Sequence, residues 1–294
     1  MNEVFDINRF GRYLVTDIRN AVDRFGISVL VMSLIGLAAY MLVGSFSLLL
    51  GSGWYSLGEF GRIFIWILAF TIMVILGPAQ MYGFITDKKE GTSFLMTPVS
   101  TLEKTLSMII VCCLVMPLSY YLITMSIDSI LCLVDKSCGK SILVLLGDVR
   151  QLMPEALREI YEETQEPLFI HPSLSMLSNP WLLVDDRIQS ILIFLLGALC
   201  FKTAKPAKTI GCLLIFSMLV SLITTPIILF GMMDKMKMLT DMNPDSLSSE
   251  QILDMFPTLS WAMQHLPTID TVSDTVTNLL LCFFIWLRVK RIKH

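Results

Sequence analysis

Apolar residues in this chain fall into long runs separated by polar stretches, most of them short and two of them large. The runs at 26–50, 63–85, 105–127, 181–201 and 209–230 are each long enough to cross a hydrocarbon core about 30 Å thick, which takes about 20 residues of helix. A shorter run at 274–287 ends on the basic stop Arg288-Val-Lys-Arg-Ile-Lys293. Backbone polar groups inside a bilayer must be satisfied within the segment, so runs of this length predict helices. The expected fold is all-α: a polytopic membrane protein with six transmembrane helices and an N-terminal amphipathic interfacial helix. Pro78, Pro117 and Pro226 lie inside three of the runs and predict kinks. Apolar character persists beyond the third run to Val134, interrupted by Asp128.

Positions 1–25 have a different pattern. Phe10, Leu14, Ile18, Val22 and Phe25 recur at steps of three or four, the period of one helix face, and Arg9, Arg12, Arg19 and Arg24 surround them. An apolar stripe flanked by Arg suits a helix lying in the membrane interface beside anionic head groups. The domain organisation read from the sequence is therefore an interfacial helix at 1–25 and a single six-span domain at 26–294.

Composition agrees. Of 294 residues, 54% are hydrophobic and 16% charged, with mean hydropathy +0.70; soluble domains are about 45–50% apolar and about 25% charged. A net charge of −3 gives no basic footprint, so no nucleic-acid partner is expected. The first twenty-five residues lack the basic-then-apolar order of a cleavable signal peptide. Five of the seven Cys lie in or beside apolar runs; Cys132 and Cys138 are a close pair that reads as either a disulfide or two free thiols.

With six spans, one side of the membrane carries Arg9, Arg12, Arg19, Arg24, Lys88, Lys89, Lys104, Lys202, Lys205, Lys208 and the basic C-terminal stop. The Lys and Arg excess marks the cytoplasmic side, so both termini should be cytoplasmic and the polar regions 135–180 and 232–273 should face outward. The first outer region has a helix pattern at 148–163 and an acidic group, Glu159, Glu162, Glu163 and Glu166, that reads as a solvated face with His171 standing alone. The second offers a capping box at Ser248 and Gln251.

No enzyme signature emerges. Gly139-Lys140-Ser141 fails as a phosphate loop, because the required earlier Gly position is Val134. Gly-x-Ser-x-Gly, His-Glu-x-x-His and Cys-x-x-Cys are absent, which leaves no expected catalytic residue, metal ligand or cofactor in this chain. Asp185, Asp186 and Arg187 fall in the first two turns of the fourth run, as intramembrane polar groups or as an interfacial cluster. Asp128 looks peripheral.

The most informative polar stretch is the loop 87–104 between the second and third runs. Gly91 permits a tight backbone, Pro98 interrupts the chain, and Ser100 with Glu103 three residues on makes a capping box at a new helix. Glu90, Glu103, Lys88, Lys89 and Lys104 offer charge to a partner. The sequence Lys89-Glu90-Gly91-Thr92, then Leu95-Met96-Thr97-Pro98-Val99-Ser100 and Leu102-Glu103-Lys104, resembles the corresponding segment of ABC-2-type transporter permeases, most of all those common in Bacteroidetes bacteria. It departs from them in a shorter distance from Gly91-Thr92 to Pro98, and in Ser107-Met108 where a Gly-Lys pair is common.

The resemblance implies a bacterial cytoplasmic (inner) membrane location and a role as the permease subunit of an ATP-binding cassette exporter. It implies coupling to a separate cytoplasmic ATPase subunit through Glu90, Gly91, Thr92, Pro98, Ser100, Glu103 and Lys104, with ATP-Mg held by that partner and none here. It also implies a second permease copy, identical or similar. The alternative reading is a membrane signalling or assembly protein that binds a ligand or partner through its outer regions.

Overall fold

A computed structural model of the chain describes residues 5–51, 53–54, 57–86, 91–147, 180–241 and 257–292, and among them every regular element is helical. α1 (Ile7–Leu49) is a single helix of 43 residues, started by the Asp6 carboxylate, which accepts from the Asn8 N–H at 2.9 Å. At 1.5 Å per residue it is about 65 Å long, about twice the thickness of a hydrocarbon core. Residues 7–25 and 26–49 are thus one rod, and the boundary expected at 25/26 is not a break. A helical Gly costs only about 1 kcal/mol relative to Ala, too little for Gly26 alone to interrupt so long a helix.

α2 (Glu59–Tyr82) tightens into a 3-10 turn at Gly83–Thr86. The short α3 (Gly91–Met96) is followed by α4 (Thr101–Ile110), which passes through a π turn at Val111–Val115 into α5 (Met116–Val134). The Pro117 ring crowds the carbonyl four residues earlier, and the Met116 N–H reaches back to the Val111 carbonyl five residues away. A widened turn thus relieves the crowding that Pro imposes, without ending the helix. α6 (Ile142–Gly147), α7 (Pro180–Cys200), α8 (Lys205–Asp241) and α9 (Pro257–Arg291) complete the described elements.

Among the described residues, five helices are long and apolar enough to cross a membrane, and Arg187–Cys200 within α7 is a shorter apolar stretch. The protein therefore has the make-up of a multi-pass membrane protein. α8 supports this most directly: Phe216, Met218, Leu222 and Ile223 are all exposed, so its apolar side chains point outward on several sides. Such a surface is stable only against an apolar solvent or another apolar surface.

α1 packs on α2 and α5, while α7 lies against α2, α8 and α9. Lipid tails are as apolar as Leu, so helices associate in a bilayer through close packing and polar contacts rather than through exclusion of water. Gly77 supplies one such approach: a Cβ there would sit 2.5 Å from the Met116 sulfur and 3.2 Å from the Phe25 ring, where α1, α2 and α5 meet. Gly197 supplies another, since a Cβ would overlap the Thr209 side chain of α8. The bundle also holds an aromatic cluster in which Trp66 stacks on Tyr120 at 6.2 Å and the Tyr120 hydroxyl donates to the Trp66 carbonyl at 3.0 Å.

The bundle has two ends. One gathers the start of α1, the turn after α2, α3, the start of α4, the α7–α8 turn and the end of α9. The other gathers the end of α1, the start of α2, the end of α5 and α6.

Candidate functional site

At the first end, the capping box expected at Ser100 and Glu103 forms: the Ser100 hydroxyl accepts from the Glu103 N–H at 3.3 Å, and Glu103 Oε2 accepts from the Ser100 N–H at 3.0 Å. The carboxylate goes further. Arg9 donates to it twice, from Nη2 to Oε1 at 2.7 Å and from Nε to Oε2 at 2.9 Å, and the Asp6 N–H donates to Oε1 at 2.8 Å. A paired guanidinium fork on a carboxylate fixes orientation as well as distance. The Glu103 side chain is 0% exposed, and it ties the start of α1 to the start of α4 across 94 residues of sequence.

The hydrogen bonds from Arg9 and from the Asp6 and Ser100 N–H groups together satisfy this buried carboxylate. Lys104 is also buried, with Nζ donating to the Phe94 carbonyl at 2.6 Å and lying 4.8 Å from the Phe94 ring centroid. The expectation that Glu103 and Lys104 present charge to a partner is therefore not met. Both face inward, and each has the hydrogen-bond partners that a buried ion needs.

Two further cations and a hydroxyl brace the turn that leads into the loop. Lys205 Nζ donates to the Gly83 carbonyl, the Thr86 hydroxyl donates to the Gly83 carbonyl at 2.9 Å, and Arg24 stacks 3.6 Å from the Phe84 ring centroid. Arg288 Nε donates to the Leu199 carbonyl at 3.0 Å. A cavity of about 800 Å³ lies between the first half of α1 and this loop, with Arg12, Tyr13, Arg24, Phe84 and Pro98 in its wall. Deeper in, the Asp17 carboxylate accepts from the Tyr82 hydroxyl at 2.9 Å and the Ser107 hydroxyl at 2.6 Å, joining α1, α2 and α4.

The remaining sequence candidates fall as follows. Gly91 opens α3 and is buried; Thr92 and Pro98 are exposed. Glu90 lies outside the described residues, as do the 148–163 helix pattern, the acidic group with His171, and the Ser248–Gln251 box. On α1, Leu14 and Ile18 pack against the core, Phe10 is partly buried, and Val22, Arg12 and Arg19 are exposed. The fully buried line runs through Asp17, Ala21, Phe25 and Val29 at four-residue steps and shares only Phe25 with the expected stripe. Asp185 and Asp186 sit in the helical backbone of α7, their side chains outside the described set, and Arg187 lies 6.0 Å from the Phe70 ring centroid.

At the second end, Arg62 was not among the sequence candidates. Its Nη1 donates to Asp128 Oδ1 at 2.9 Å and contacts the Cys132 and Cys138 sulfurs at 2.8 and 2.6 Å, while Nη2 donates to the Lys140 carbonyl at 2.7 Å. The second Asp128 oxygen accepts from the Ile142 N–H at 2.6 Å. Asp128 is therefore buried and paired, not peripheral. Cys132 and Cys138 are free thiols with their sulfurs 3.0 Å apart. Asp135 nearby accepts from the Ser137 hydroxyl and N–H, the Tyr40 hydroxyl and Trp54 Nε1, which together hold its carboxyl below the usual range. The sequence signal for this node was a lone Arg at the start of one apolar run and a lone Asp late in another.

Among the described residues no group of His, Cys, Asp and Glu could hold a metal ion. What the first end offers is mechanical: a short loop and the start of a long helix fastened through one carboxylate. No family model, no curated protein and no solved structure matches this chain.

Proposed function

We propose that this protein is the six-span permease subunit of an ATP-binding cassette exporter in a bacterial cytoplasmic membrane, moved by a separate ATPase subunit that docks on the loop end of the bundle. The observation that carries this reading is the four-bonded Glu103 carboxylate. It makes the start of α1, the loop and the start of α4 move together, so a push on the loop tilts two crossing helices at once. Rigid-body tilting of that kind is how alternating access is driven. Clustering of Arg9, Arg12, Arg24, Lys104, Lys205 and Arg288 at this end supports a cytoplasmic placement for it. The loop's resemblance to ABC-2 permeases supplies the partner's class, and the outward apolar side chains of α8 leave room for a second permease copy.

The burial pattern changes which residues would meet the ATPase. Glu103 and Lys104 hold the loop in place, whereas Met96, at 83% exposed, together with Pro98 and Leu102, presents the outer surface. The test is affinity purification of the tagged chain in mild detergent beside Met96→Glu. An ATP-binding cassette subunit should co-purify with the unaltered chain and be lost from the variant. Robust ATP hydrolysis by the purified chain alone would overturn the reading.

A further inference from the structure

A second cavity, of about 30 Å³, lies inside the bundle toward the second end, where α1, α2 and α5 meet. Arg62 and Trp66 of α2, Thr124 and Asp128 of α5, and Ser33 and Gly36 of α1 are in its wall. Three polar atoms of this wall have no hydrogen-bond partner in the protein: Arg62 Nε, Trp66 Nε1 and Thr124 Oγ1. Their residues are 3%, 8% and 7% exposed, so bulk solvent does not satisfy them. The Thr124 hydroxyl neighbours that of Tyr120 without completing a hydrogen bond by geometry. Gly36 contributes no side chain, and a Cβ there would meet nothing within 4 Å.

Buried polar groups are almost always paired, and a cluster of exceptions around one space marks a ligand. Arg Nε–H and Trp Nε1–H can only donate, so the ligand must accept hydrogen bonds. The size admits one or two waters, since a water needs at least about 10–15 Å³ of such space and two to four polar partners. Charge decides between water and a small anion. Arg62 is neutralised by Asp128 at 2.9 Å, so an anion would face the Asp128 carboxylate with no surplus positive charge. A cation would face two N–H donors. Water meets both demands: it accepts from Arg62 and Trp66 and donates to Thr124 or to the free lone pairs of Asp128.

We propose that this cavity is a hydration site, in which bound water bridges Arg62, Trp66 and Thr124 and lowers the cost of burying the Arg62–Asp128 pair. This stands independently of the transporter reading. The test uses the full chain in lipid nanodiscs with nitrogen-15 in the indoles of its five Trp residues. Trp66→Phe identifies the Trp66 indole resonance by its loss. In the unaltered chain that resonance should show dipolar cross-relaxation to water, with the sign of a residence longer than nanoseconds, and should stay put during chloride and bromide titration. Thr124→Val, which keeps the shape and removes the hydroxyl, should weaken the cross-relaxation at least several-fold. Absence of water cross-relaxation at Trp66 in the unaltered chain would show a dry cavity, and a saturable halide shift would show an anion site; either overturns the proposal.

Discussion

Arg9 and Glu103 are joined by two hydrogen bonds, at 2.7 and 2.9 Å, although they stand at the starts of different helices. The same carboxylate completes the capping box of α4. One side chain therefore starts a helix and docks another. Glu103→Gln keeps the shape and removes the charge. The expected outcome is that α1 loosens at its start: amide exchange over 7–24 should speed up about tenfold or more, as when a charge-assisted pair is lost from a locally opening segment. Exchange in the aromatic core should stay unchanged. Arg9→Lys, with Glu103 intact, should lose part of the protection, because an ammonium cannot reproduce the paired fork.

Arg62 and Asp128 test the second end. Asp128→Asn leaves a buried guanidinium without its counter-ion, which should cost about 3–5 kcal/mol, whereas replacing both with apolar residues of similar size should recover most of that loss. Thermal melting of Asp128→Asn and of Arg62→Met with Asp128→Leu, in one detergent, checks both arms. If the double variant is no more stable than Asp128→Asn alone, the pair is not the source of the effect.

Gly77 tests the close approach of α1, α2 and α5. Gly77→Leu places a side chain where the Met116 sulfur and Phe25 ring already lie, and overpacking of this kind costs about 1–3 kcal/mol. Gly11→Ala on α1, where a Cβ meets nothing within 4 Å, is the control and should leave the melting temperature unchanged or slightly raised.

Much of the architecture was legible in the apolar runs, because a bilayer demands long uninterrupted helices and leaves few alternatives. The Ser100–Glu103 box was legible because capping is local, set within four residues. The partners of that box were not. Nothing in the spacing links Arg9 to Glu103 or Arg62 to Asp128, since such pairs depend on which helices become neighbours. Glu103 and Lys104 read as surface charges because short polar loops usually are solvated; their burial follows from the start of α1 lying over the loop. The stripe through Phe10, Leu14, Ile18, Val22 and Phe25 meets the buried line at Phe25 and is otherwise rotated from it. The reason is that Asp17, a polar residue, occupies the buried face through its bonds to Tyr82 and Ser107. Likewise the continuity of α1 through Gly26 was hidden by a change in composition that is not a change in conformation.

The most direct measurement is site-specific photo-crosslinking in native membranes from position 96, the exposed tip of α3, with the same probe at Leu222 on the outward side of α8 as the comparison. The expected result is a cross-link from position 96 to a protein carrying an ATP-binding cassette, absent from position 222 and weakened in the Glu103→Gln background. Cross-links from position 96 to lipid alone, or to a protein without a nucleotide-binding cassette, would contradict the proposal that the loop end is where a separate ATPase engages this protein.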